Sequence, residues 1–171
     1  MTSRKRLGLL VLAVLLSLGL GRADRTFAQG KPGMEGWDLG GKYDQFYDSS
    51  EFDDFKGVVE EIVEITPLAG MAPGVGLVVR DQDGDKVNVQ VGPKSFVKVD
   101  AIGLKKGDKV KVKGVWAEIE GQEIFMASKV KKGDDLELKV RRTKDGVPFW
   151  TLSPEELAKE GRQEDEQAKG Q

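Results

Sequence analysis

Residues 77–91 read LVVRDQDGDKVNVQV, and this stretch decides the fold. An apolar run from Leu77 to Val79 meets Asp81-Gln82-Asp83-Gly84-Asp85, and a strictly alternating segment follows. Val87, Val89 and Val91 point one way, and Lys86, Asn88 and Gln90 the other. Two such runs joined by Asp-Gly chemistry read as a hairpin. Before it, residues 56–65 form another apolar-and-charged strand, separated by a Gly- and Pro-rich loop from Thr66 to Gly74. After it, Gly92-Pro93 stops the third strand, and residues 94–106 break the alternation with a short helical turn. Gly107-Asp108 restarts it, setting Lys109, Lys111 and Lys113 opposite Val110 and Val112. Gly114 inside this run predicts a bulge or a sharp coil. A turn at Glu120-Gly121 leads into a strand over 122–131. A last strand over 134–142 sets Leu136, Leu138 and Val140 against Glu137, Lys139 and Arg141.

Five or six short strands, with their one long break between the third and fourth, predict a mainly β fold: a small closed barrel of OB type. Closure removes edges that such strands would otherwise expose. The expected organisation is an export signal over 1–28, a flexible acidic leader over 29–54, the barrel over 55–142, and a C-terminal extension over 143–171. In that extension Ser153-Pro154-Glu155-Glu156 supplies an N-cap, a first-turn proline and early acidic residues for a short helix. Residues 161–171 are charged, lack large apolar side chains, and are expected to be disordered.

Three segments resemble small exported bacterial OB-fold (BOF-like) proteins: Gly57-Val58-Val59, the 77–89 hairpin, and Gly107-Asp108-Lys109-Val110-Lys111-Val112-Lys113-Gly114. The resemblance spans roughly residues 56–131. It implies an exported, non-enzymatic binding domain with a role in envelope stress or ligand recognition. The chain departs from that pattern in the 66–74 loop, the strand after 131 and both tails.

The amino terminus sets the compartment. Arg4, Lys5 and Arg6 precede an apolar run from Leu7 to Leu20, with small residues at Ala23 and Ala28. A basic head on a run too short to span a bilayer comfortably reads as a cleaved export signal, with an uncleaved membrane anchor as the alternative, and the mature chain is expected to start near Gln29. No stable membrane span remains after processing, so the product is expected to be periplasmic or secreted. Removing residues 1–28 takes five basic residues from 27 and one acidic residue from 29, leaving 22 against 28 and a net charge of −6. General nucleic-acid binding needs a basic face, and net acidity argues against it.

The chain has no Cys and no His. Disulfides, thiolate nucleophiles, iron–sulfur clusters and covalent haem attachment are excluded, and the usual zinc ligand and triad base are missing. The expectation is a protein without enzymatic activity or cofactor. Glu60, Glu61 and Glu64 could supply paired carboxylates, but charge on an exposed strand accounts for them.

Two constellations could carry binding. Asp81, Asp83 and Asp85 around Gly84 resemble part of a calcium loop, but Gly92 stands where a closing bidentate Glu would be, and a hairpin turn explains them. The stronger candidate is the row Lys109, Lys111 and Lys113, with Lys98 nearby and Phe96, Trp116 and Phe125 as a stacking platform for an anionic ligand. Residues 86–142 hold 14 basic and 8 acidic residues, a local excess of six positive charges. A solvated face with core aromatics is the plain alternative. The loops 66–74, with Leu68 and Met71, and 118–121 would flank such a site. The expected partner is a protein or an acidic polymer of the cell envelope. A second reading makes the chain an accessory subunit docking through its leader or tail. Trp37, Tyr43, Phe46, Tyr47 and Phe52 in the leader either pack on the barrel or dock a partner.

Overall fold

The computed structural model describes residues 31–169. The expected export signal and its cleavage point lie outside the described residues. Six strands follow in chain order: β1 Phe52–Ile65, β2 Gly74–Asp81, β3 Lys86–Pro93, β4 Lys109–Ile119, β5 Gln122–Lys132 and β6 Leu136–Lys139. The sheet runs β3-β2-β1-β4-β5-β6, and a parallel β3–β5 pairing closes it. Hydrogen bonds therefore ring five strands, with β6 appended outside the ring. This is the mainly β barrel expected from three strands, a helical connection and two more strands.

Closure depends on β1. Its first half, Phe52 to Val58, pairs with β4, and its second half, Gly57 to Ile65, pairs with β2. One strand serves two neighbours by bending where the two pairings overlap. Gly57 sits there, and a Cβ on it would lie 2.4 Å from the Arg80 carbonyl oxygen. Only glycine permits that approach. The predicted bulge is present too: the β4–β5 register slips between Lys113 and Gly114, where Ser128 is the extra residue on β5. A Cβ on Gly114 would meet the Met126 carbonyl oxygen at 2.0 Å.

The alternation of the hairpin holds. Val87, Val89 and Val91 are buried, as are Leu77, Val79, Val110 and Val112. Past the bulge, Val115 and Trp116 point to opposite faces by strand geometry. Val115 is nonetheless fully buried, as is its partner Met126. Both faces of this part of the sheet are covered.

The leader and the C-terminal extension supply that cover. Short 3-10 turns at Asp44–Phe46 and Ser49–Glu51 lie against β4. Trp37 and Tyr43 belong to the same hydrophobic cluster as the barrel valines, and so does Trp150. The Trp37 indole donates to the Ala72 carbonyl at 2.9 Å, and the Trp150 indole donates to the Trp37 carbonyl at 2.7 Å. The two indoles meet edge to face at 5.7 Å. Of the leader aromatics, Trp37 and Tyr43 pack in the barrel's core cluster and Phe46 and Tyr47 lie partly buried against it, while Phe52 is exposed.

Three expectations need correction. β1 begins at Phe52, so Asp53 and Asp54 belong to the sheet and not to the leader. β6 ends at Lys139, and Arg141, expected on a solvated face, is buried. Its charge is tolerated because Asp44 and the Gly146 carbonyl accept from it. Finally, the helix α1 runs from Pro154 to Lys169, through residues expected to be disordered. Glu, Gln, Ala, Lys and Arg dominate that stretch and are strong helix formers, which composition-based reasoning about disorder ignores. Among the described residues no helix is long and apolar enough to cross a membrane.

Candidate anion-binding face

The register of five strands builds the site. Val58 on β1 stands between Arg80 on β2 and Lys109 on β4. Two residues along, Lys56, Lys111 and Lys131 stand side by side on β1, β4 and β5, with Glu137 of β6 next to Lys131. Two further along, Asp54, Lys113, Lys129 and Lys139 form a third row. Neighbouring strands lie about 4.8 Å apart, and alternate residues along a strand about 6.8 Å apart. Pairing thus gathers one arginine and seven lysines onto one face, set against Asp54 and Glu137.

Like charges directly opposite each other in a sheet are destabilising. Lys111 next to Lys56 and Lys131, and Lys113 next to Lys129, are such pairs. Internal carboxylates relieve part of the repulsion. Lys111 Nζ reaches Asp54 Oδ1 at 2.8 Å, and Glu137 takes Lys139 at 2.7 Å and Lys129 at 3.6 Å. The hydrogen bond from Lys111 holds the Asp54 carboxyl below its ordinary range, helped by the positive charges of Lys113 and Lys56. Burial lowers the Lys129 pKa, Glu137 opposes this, and the charges of Lys139 and Lys113 add to the lowering. Lys56, Lys109, Lys113 and Lys131 have no carboxylate at ion-pair distance among the described residues.

Over the first two rows lies an open groove of about 390 Å³, lined by Lys56, Val58, Arg80, Lys109, Lys111 and Lys131 and also by Asp81 and Asp134. Val58 is 38% exposed in its floor, one of few large apolar side chains left so. Arg80 is already engaged, donating to Glu60 at 2.7 Å and to the Gly84 carbonyl at 2.6 Å. The groove's available positive charge is therefore lysine charge.

The aromatic platform is not assembled. Phe125 is fully buried and belongs to the core. Trp116 is half-buried, stacks with Phe55, meets Phe125 edge on at 5.0 Å, and donates to Asp53 at 3.0 Å. Phe96 packs edge on against Trp150 at 6.1 Å, and Lys98 lines a different depression with Lys94 and Glu64. Lys109 and Lys111 line the groove and Lys113 lies just beyond it, while Trp116, Phe125, Phe96 and Lys98 lie elsewhere. The loop at 66–74 is also occupied: Leu68 and Met71 are buried, and Ala72 N donates to the Glu35 carbonyl at 2.8 Å. The chain's own leader sits where a ligand was expected.

The acidic turn is built as a turn. Asp81 accepts at Oδ1 from the amides of Asp83 and Asp85 at 3.0 and 2.8 Å. Among the described residues no group of three or more acidic side chains is placed to hold a metal ion.

Sequence reasoning missed Lys56, Arg80, Lys129, Lys131 and Lys139. The alternation of Lys129 and Lys131 puts them on one strand face and could have suggested them. Their adjacency to Lys113 and Lys111 is a matter of register, which no local pattern states.

Compared with known families, residues 51–137 match the model described as the MamS/MamX magnetosome protein family. That segment holds all six strands up to the middle of β6, and with them every cation of the face except Lys139. No curated protein matches the chain.

Proposed function

The chain belongs to the MamS/MamX magnetosome protein family, and we propose that it serves there as an exported, non-catalytic binding module whose β2-β1-β4-β5 face takes an anionic partner. The observation that carries this is the three-row lysine face. A fold that aligns like charges across three neighbouring strands in a row gives up stability for them, and an incoming anion relieves that cost. The groove over the first two rows gives the anion a place to sit.

Export rests on the basic head and apolar run of residues 4–20, and places the product in the periplasm or outside the cell. The resemblance to exported OB-fold proteins fits the closed ring of β1-β2-β3-β5-β4. A non-catalytic role fits a chain without His or Cys, whose Glu60 is held between Arg80 and Lys86. The partner is a protein or acidic polymer of the envelope. Docking through the leader is the weaker reading, because Trp37, Tyr43 and Asp44 are spent within the chain.

The test is binding to poly-glutamate across a salt series. The parent should bind at low ionic strength and release as salt screens the contacts. A variant with Lys109→Ala, Lys111→Ala and Lys113→Ala should lose the binding while keeping the parent's circular dichroism. Equal binding by both proteins would remove the face from the mechanism.

A further inference from the structure

Building on that reading, we infer that the partner is an acidic polypeptide segment, bound extended along β4, with an apolar side chain seated on Val58. Lys109, Lys111 and Lys113 share one face of one strand, so their charges repeat at about 6.8 Å. An extended peptide repeats its alternate side chains at the same interval. Asp or Glu at every second position would therefore meet each lysine in turn. Lys56 on one side and Lys131 and Lys129 on the other flank this column, at about 4.8 Å per strand.

The groove floor separates this partner from other polyanions. Val58 is exposed between Arg80 and Lys109, and the methylene stems of Lys56, Lys109, Lys111 and Lys131 can extend the apolar surface around it. A peptide can cover that floor with one aliphatic side chain. A phosphate polymer meets the charge and leaves the floor wet. A single-stranded nucleic acid would need aromatic rings to stack on, and among the described residues no aromatic lines the groove. Arg80, which lines the groove and whose guanidinium could grip a phosphate in bidentate fashion, is held by Glu60 and Gly84.

The experiment uses the full processed chain and three fluorescent probes: a peptide with Asp at alternate positions and one central Leu, the same peptide with Ala for Leu, and inorganic polyphosphate. The Leu peptide should bind at least threefold more tightly than the Ala peptide. Val58→Asn should erase that difference and leave polyphosphate binding unchanged. Val58→Thr, which keeps the β-branched shape, should act in the same direction and guards against a folding defect. If polyphosphate and both peptides bind alike and neither Val58 variant matters, the peptide inference falls while the anion-binding face stands. If none of the probes binds at low salt, both fall.

Discussion

Arg141 donates to Asp44 Oδ1 across 2.6 Å, although 97 residues separate the two. Asp44 comes from the leader and Arg141 from the segment after β6, so one ion pair fastens the leader to the end of the barrel segment. The guanidinium also lies 5.0 Å from the Tyr47 ring and 4.9 Å from that of Trp150. Burial drives the nearby Tyr43 hydroxyl's pKa well above its ordinary value, against the pull of Arg141. Arg141→Met would remove the cation and leave the partly buried Asp44 carboxylate without its charged partner. Breaking a buried pair from one side costs about 3 kcal/mol or more. The variant should melt roughly 10 °C lower by thermal circular dichroism. A melting temperature like the parent's would show that the extensions are held by their aromatics alone.

Gly114→Ala tests the bulge. The new methyl would collide with the Met126 carbonyl oxygen, a backbone atom that cannot move away without breaking the β4–β5 ladder. Overpacking of this kind costs about 1–3 kcal/mol. A denaturant titration should show a lower midpoint with an unchanged slope. No change in midpoint would mean the β4–β5 register is not the one described.

Asp54→Asn should tighten binding rather than weaken it. Asp54 neutralises Lys111 from within the chain. Removing its charge while keeping its shape frees that lysine for an outside anion. Poly-glutamate affinity at low salt should rise by a small factor, and the gain should fade as salt increases. Weaker binding by this variant would contradict the placing of Lys111 in the site.

Stability should be insensitive to pH near neutrality and fall in acid. With no His, no unperturbed side chain titrates between about pH 5 and 8. Asp54, Glu60 and Asp108 are held below ordinary values of 3.8, 4.5 and 3.8 by hydrogen bonds from Lys111, Arg80 and Lys132, respectively. Each carboxyl takes up its proton more readily in the unfolded chain. The stability they contribute is complete above those ordinary values and is lost as pH falls through the lower folded ones. Melting temperatures measured from pH 7 to pH 2.5 should stay level and then drop below 4.5. A decline that begins between pH 7 and 6 would point to a titrating group not accounted for.

The sequence by itself determined the strands and their inward faces. Alternation at 86–91 and 109–113 is a local property of strand geometry, and Asp-Gly and Glu-Gly turns place the reversals. It also determined what chemistry is closed to this chain, because absent Cys and His are absent whatever the fold. Tertiary structure alone decided which charges meet. Lys56, Lys111 and Lys131 are 55 and 20 positions apart along the chain and become neighbours only through register. It also decided that Arg141, polar by every local rule, goes inside, because Asp44 arrives from the far end of the chain to satisfy it. Alternation is written in adjacent residues, whereas register, cover and charge compensation depend on partners brought together by the closing of the barrel.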